Sequence, residues 1–173
     1  MRRWDNCLQA TRNVEEVYAL SANMGGMGFI SYNHARILHN NTLINFHTLD
    51  AAKINGVKRY LYTSSACVYP EYLQEETEVT PLKEDDAYPA APQDAYGWEK
   101  LITEQICEHY NQTYDIETHI VRFHNIFSPL GTWEDGRGKV PAAFCRKAAV
   151  AKLTGNPEFD IWGMVNKPGH SVT

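Results

Sequence analysis

Three short β-rich segments, each separated from the next by a much longer stretch of helical periodicity, restrict the folds open to this chain. Val14 to Leu20 (VEEVYAL), Val57 to Ser64 (VKRYLYTS) and Ile116 to Phe123 (IETHIVRF) have the length and the β-branched and aromatic content of strands. Between the first two, from about Asn33 to Ile54, Ile37, Leu38, Ile44, Leu49 and Ala52 recur at helical spacing before the stop signal Gly56. Between the second and third, Ala95 to Gln112 sets Leu101, Ile102, Ile106 and Tyr110 at helical spacing, with Glu99, Lys100, Glu104 and Glu108 at the charged positions. Strands joined by helical crossovers pair in parallel. The expectation is therefore an α/β chain containing part of a parallel sheet, with Val14 to Leu20 as a buried strand and a further helix over Ala142 to Leu153.

In such a sheet, ligands bind beyond the carboxyl ends of the strands. That rule selects three loops, Asn23 to Ile30, Ser64 to Pro70 and His124 to Gly138. Glu71 to Pro92, acidic and interrupted by Pro81, Pro89 and Pro92, reads as an irregular surface excursion.

Composition narrows the partners. The 173 residues hold 16 Lys and Arg against 21 Asp and Glu, a formal charge of −5. A sequence-independent nucleic-acid binder needs a net basic face, so small substrates fit better. Hydrophobic residues make up 43% and charged residues 21%, as in ordinary globular chains. No apolar run approaches the roughly 20 residues needed to cross a bilayer, and no membrane association is expected. The start, Met1-Arg2-Arg3-Trp4-Asp5, lacks the apolar run of a secretory signal, which makes the cytoplasm the expected location. Cys7, Cys67, Cys107 and Cys145 are widely spaced and form no C-x-x-C pair, so free thiols are expected. The seven histidines show no ligand motif, and no metal is implied.

Two motifs bear on chemistry. Met24-Gly25-Gly26-Met27-Gly28 follows a strand and precedes a helix, but Ser31 stands where the third glycine of G-x-G-x-x-G is required. It is a tight loop able to approach a ligand, not a dinucleotide fingerprint. Tyr96 and Lys100 lie four apart on one helix face. A lysine ammonium beside a tyrosine favours the phenolate, which would make Tyr96 a base toward a sugar hydroxyl; the same spacing also suits a plain surface pair. On the residues alone, Cys67 reads as a small buried thiol and Lys139 as a solvated loop lysine.

The order strand, hydroxyl-rich loop Thr63-Ser64-Ser65-Ala66-Cys67-Val68-Tyr69-Pro70, excursion, then Y-x-x-x-K helix resembles the extended short-chain dehydrogenase/reductase family of NAD-dependent nucleotide-sugar epimerases and dehydratases. The resemblance implies a Rossmann-like fold. Met24 to Ile30, Ser64 to Glu71, Pro92 to Gly97 with Glu99 and Lys100, Arg122 to Ile126 and Pro141 to Ala148 are similar in particular to the GDP-mannose 3,5-epimerase family, over nearly all of the chain to Gly163. Such enzymes oxidise C4 of GDP-mannose with bound NAD, epimerise C3 and C5 of the 4-keto sugar and return the hydride, giving GDP-L-galactose, or GDP-L-gulose after C5 inversion alone, in the nucleotide-sugar metabolism that leads to L-ascorbate.

Carried onto this chain, the resemblance implies that Ser65 orients the sugar, that Tyr96 accepts the hydroxyl proton, and that Lys100 holds the cofactor ribose and lowers the tyrosine pKa. Inversion next to a ketone needs an acid and a base on opposite ring faces, and by resemblance these are Cys67 and Lys139. Gly25 and the Ser65-Ala66-Cys67 backbone would lie near the sugar, Asn125 near the diphosphate, Gly138 and Val140 beside Lys139, and Lys147 toward the phosphates. The complete enzyme would be a homodimer.

The family's order also implies that this chain begins just before the helix leading into the fourth strand, so that most of the NAD site, including the first strand and its glycine-rich loop, lies outside it. Residues 1–128 are expected to form a partial Rossmann-like domain and 129–173 an incomplete substrate-binding region. Met164 to Thr173 departs from the family pattern, with His170 where a substrate-contacting arginine is expected. The chain by itself is then expected neither to bind NAD tightly nor to turn over GDP-mannose. The alternatives are an inactive remnant or interaction module of the same fold, and a 4-epimerase or 4,6-dehydratase of another nucleotide sugar.

Overall fold

The computed structural model describes residues 1–74, 81–126, 128–134, 137–156 and 158–159. Asp160 to Thr173, and with them His170 and the divergent tail, lie outside the described residues. Helix α1 (Trp4–Ala10) precedes β1 (Glu16–Ala19), α2 (Met27–Tyr32), α3 (His34–Ile54), β2 (Arg59–Ser65), α4 (Ala95–Thr113), β3 (Glu117–Phe123) and α5 (Val140–Thr154). The strands form one parallel sheet in the order β1, β2, β3. Glu16 pairs with Arg59, and Arg59 in turn with Glu117, so all three strands enter the sheet in step. As the alternation predicts, α3 and α4 are the two crossovers, and they pack against each other.

Tyr60, Tyr62 and Ser64 of β2 point toward these helices. Tyr60 and Tyr62 join Leu49, Ala52, Val57, Cys107 and Ile116 in the main core cluster. Each large side chain buried there contributes roughly 1.5–3 kcal/mol of transfer free energy. On the opposite face of the sheet, Tyr18 is 62% exposed, and Val121 and Phe123 are also exposed. β1 is thus not the buried strand expected from its apolar content. Among the described residues it has one neighbour, β2, and helices cover only one face.

A second correction concerns α4. Its Glu99, Lys100 and Glu104 are buried, whereas Trp98 and Ile102 are exposed. Amphipathic counting assigns charged residues to solvent, but here the carboxylates have partners inside. Arg122 of β3 forms an ion pair with Glu104 at 2.7 Å, and two asparagines of α3 meet Glu99. α3 likewise buries Asn40, Asn41, Asn45 and Thr48 alongside Ile37 and Leu49. Helix packing in this layer is therefore partly polar, and it holds only because the polar groups are hydrogen-bonded.

Candidate active site

β2 ends in Thr63-Ser64-Ser65, and the chain turns at once through a single helical turn over Ala66–Val68. The Ser65 hydroxyl caps that turn by accepting from the Cys67 N–H at 3.2 Å. α4 begins beside it: Asp94 is its N-cap, accepting from the Gly97 N–H at 2.9 Å, which places Tyr96 in the first turn. Gly97 permits the approach, because a Cβ there would collide with the Cys67 carbonyl and lie 2.8 Å from Pro92 Cβ. Sequence reading passed over Gly97; its place directly after Tyr96 in a tightly packed helix start was the available signal.

Tyr96 is 5% exposed and Lys100 3% exposed. Lys100 Nζ donates to the Thr63 carbonyl at 2.7 Å and lies 5.5 Å from the centre of the Tyr96 ring. The Y-x-x-x-K pair is therefore a buried pair aimed at the end of β2, not a surface pair. Its electrostatics differ from expectation. Burial is the largest influence on Tyr96, and with Glu99, Cys67 and Asp94 it drives the phenol above its ordinary pKa; only the Ser65 hydroxyl acts the other way among the main causes. Lys100 itself is pushed down, chiefly by burial. The expected depression of Tyr96 by Lys100 does not prevail in the protein alone, and the phenol is neutral.

Cys67 is exposed, unlike the buried Cys7 and Cys107. The protein around its thiol raises its pKa by desolvation, opposed by the Ser65 hydroxyl and by the charges of Lys139 and Lys100. Lys139 precedes α5 as its N-cap and is half-buried, and its charge acts to lower the Cys67 pKa. The loop before α5 is held by the loop after β1. The Gly26 N–H donates to the Arg137 carbonyl at 3.0 Å, and a Cβ on Gly26 would lie 2.8 Å from the Gly138 carbonyl oxygen. Gly25 is buried beside these contacts, and Met24 places its sulfur 3.9 Å from the Tyr96 hydroxyl.

Ser65, Ala66, Cys67, Tyr96 and Lys100 are thus gathered around the end of β2, and Gly25, Gly138 and Lys139 approach them from two further loops. Val140 and Lys147 lie on α5, and Asn125 is exposed just beyond β3. No described hydrogen bond or ion pair joins Asn125 or Val140 to the Tyr96 cluster. The described residues contain no cluster of three or more His, Cys, Asp or Glu placed to hold a metal, and no helix long and apolar enough to cross a membrane.

A hydroxyl and thiol loop at a strand end, facing a buried Tyr-Lys pair on the next helix, defines a Rossmann-like site of the short-chain dehydrogenase type. The chain belongs to the NAD dependent epimerase/dehydratase family, which it matches over residues 1–168. It is 56% identical over 163 residues to the GDP-mannose 3,5-epimerase of Arabidopsis thaliana, covering 94% of this chain and 42% of that protein. It is 57% identical over the same length to GDP-mannose 3,5-epimerase 1 of Oryza sativa subsp. indica, with the same coverage. The chain therefore spans about 42% of the length of these curated relatives. Among solved structures, a GDP-L-fucose synthetase from Naegleria fowleri bound to NADP shares the fold at a TM-score of 0.75 and 22% identity, over 94% of this chain and 53% of that one.

Proposed function

We propose that this chain carries the catalytic heart of an NAD-dependent GDP-mannose 3,5-epimerase. The observation that supports this most strongly is the 56% identity over 94% of the chain, in a site where Ser65, Cys67, Tyr96 and Lys100 share one strand end. The residues present suit part of a nicotinamide cofactor site. Lys100 uses one of its three N–H donors on Thr63, and the Tyr96 hydroxyl, beside the Ser65 hydroxyl, donates to the Met24 thioether, a weak acceptor. Both keep capacity for a ribose and a sugar hydroxyl, and Tyr96 and Lys100 are the residues here that would hold NAD. The cofactor, when bound, supplies the hydride acceptor and donor for C4.

In this reading Tyr96 takes the C4 hydroxyl proton as its phenolate, which the Lys100 ammonium and the positive ring of a bound oxidised nicotinamide would favour over the neutral phenol of the protein alone, and returns it on re-reduction, while Ser65 orients that hydroxyl. Cys67 and Lys139 then exchange the C3 and C5 protons, which the neighbouring ketone acidifies, from opposite sides of the ring. Abstraction requires the thiolate, which the Lys139 charge favours against the burial that raises the Cys67 pKa, and the proton returned from the other face comes from Lys139. Gly25, Ala66, Gly138 and Val140 shape the sugar pocket, with Asn125 and Lys147 directed to the diphosphate; a lysine suits a concentrated anion as a point charge. The complete enzyme is proposed to be a cytoplasmic homodimer. Because these residues include no G-x-G-x-x-G loop, the 173-residue chain alone is proposed neither to bind NAD tightly nor to turn over substrate.

The test extends the chain at both ends with the matching segments of the Arabidopsis relative and incubates it with GDP-mannose in D₂O. Deuterium at both C3 and C5 is expected. Turnover without deuterium at either position would overturn the proposal in favour of a 4-epimerase, and loss of the 6-hydroxyl would point to a dehydratase.

A further inference from the structure

Glu99 has no role in the chemistry above, yet it is completely buried one residue from Lys100. Its two carboxylate oxygens accept separately, one from Asn41 Nδ2 at 2.9 Å and the other from Asn45 Nδ2 at 2.8 Å. Asn41, itself fully buried, also brackets the peptide of Asn23. Its Oδ1 accepts from the Asn23 N–H at 2.6 Å, and its Nδ2 donates to the Asn23 carbonyl at 3.3 Å. From Asn23 the chain runs directly to Met24, whose sulfur meets the Tyr96 hydroxyl, and to Gly26, whose N–H holds the Arg137 carbonyl two residues before Lys139.

A buried carboxylate is an expensive way to fill space, and a leucine of similar volume would serve the packing better. The geometry explains its presence differently. With Oδ1 turned to the Asn23 N–H, the Asn41 amide nitrogen has two hydrogens to place inside the protein; the Asn23 carbonyl takes one at 3.3 Å, and Glu99 is the shorter acceptor for the other at 2.9 Å. We propose that Glu99 is a positioning residue which, through Asn41, fixes the Asn23–Gly26 loop against both Tyr96 and the segment that carries Lys139. Asn45 occupies the other carboxylate oxygen and is held by Tyr62 Oη at 3.3 Å and Thr103 Oγ1 at 3.1 Å. It anchors Glu99 without touching the loop. The two sides of the site are thereby tied to the helical turn that bears Tyr96 and Lys100.

The proposal rests on reading Tyr96 and Gly25 as site residues, but its test needs neither cofactor nor turnover and so fails separately from that reading. Amide hydrogen exchange is measured on the chain and on Glu99→Leu, Glu99→Gln, Asn41→Ala and Asn45→Leu. Glu99→Leu and Asn41→Ala are expected to speed exchange at Asn23 and Gly26 by roughly five- to tenfold, about one lost hydrogen bond, with the β2 and β3 amides unchanged. Glu99→Gln keeps an acceptor for Asn41, and a turned Asn45 amide can accept from its nitrogen, so loop protection should stay within about twofold of the parent. Asn45→Leu should also leave the loop protected. Unchanged exchange at Asn23 and Gly26 in Glu99→Leu would overturn the proposal, as would equal acceleration of loop and strands or failure of glutamine to restore protection. If Glu99→Leu does not fold, Asn41→Ala decides by the same criteria.

Discussion

The end of β2 and the start of α5 both supply residues to the proposed site, but they are held by unlike means. Around β2, the side chains that matter are locked from several directions. Lys100 is bonded to the strand backbone, Tyr96 sits in a capped first turn, and Glu99 and Glu104 are paired inside the helix layer. α5 buries no residue, and the loop that leads to it is joined to the rest through the backbone contacts of Gly26 with Arg137 and Gly138 and through the Arg137 guanidinium over the Phe29 ring. The contrast suits a division of labour. In the proposed reaction, the C4 step assigned to Tyr96 and Lys100 demands one fixed geometry, whereas exchange at the two ring carbons would pair Cys67 at the end of β2 with Lys139 on the less tightly held α5 side.

The largest expected effect tests how tightly the β2 side is built. Arg122 bonds to the buried Glu104 through two of its nitrogens, and also to Tyr69 and the Glu84 carbonyl. Arg122→Ala leaves the Glu104 carboxylate buried without its partner and should destabilise the chain by about 3–4 kcal/mol in urea unfolding. A loss below about 1 kcal/mol would mean that this side is no more rigid than α5.

The next effect concerns pH. Burial raises the Glu99 pKa to about 7 against an ordinary 4.5, with Lys100, Asn41 and Asn45 opposing the rise. Between those values the folded chain holds a proton that the unfolded chain has released, so stability falls as pH rises through this window. The drop is roughly 3 kcal/mol, and Glu99→Gln should flatten it. Lys100 is shifted down, so its influence falls in a separate window between its lowered value and 10.5, where stability rises with pH. A stability curve identical in parent and Glu99→Gln would show that Glu99 ionises as readily inside as in water.

Smaller again is the electrostatic link between the two sides. The exposed Cys67 thiol has a raised pKa, so alkylation by iodoacetamide should be slower near neutral pH than for a free thiol and should accelerate as pH rises past 9. Lys139→Ala removes a charge that favours the thiolate and should slow the reaction a further few-fold. An unchanged rate would separate Lys139 from Cys67. At the bottom of the scale, Leu153 on α5 is 86% exposed, and Leu153→Ala should stay within about 0.5 kcal/mol of the parent.

The alternation of short β-rich and long helical segments made the parallel pairing and both crossovers legible, because periodicity is a local property of the chain. The Tyr96 and Lys100 spacing was legible for the same reason. What escaped was burial. α4 was divided into apolar and charged positions by residue type, yet Glu99 and Glu104 are inside and Ile102 is outside. The reason lies about 50 residues earlier and 18 residues later, in Asn41, Asn45 and Arg122, whose hydrogen bonds make the buried charges tolerable. No window on α4 contains that information. The sign of the Tyr96 shift escaped likewise, since spacing shows that a lysine is near but not that the pair lies under protein. β1 was read as buried from its own composition, although burial depends on what covers the sheet.

The division of labour between the two sides is tested most directly by Cys67→Ala in the extended enzyme, incubated with GDP-mannose in D₂O. Ser65, Tyr96 and Lys100 are intact in that variant, so oxidation at C4 should still occur and be visible as absorbance of reduced nicotinamide, while deuterium enters neither C3 nor C5. Deuterium at both carbons at the parent rate would contradict the account, because the ring protons would then be exchanged without the thiol proposed to work with Lys139.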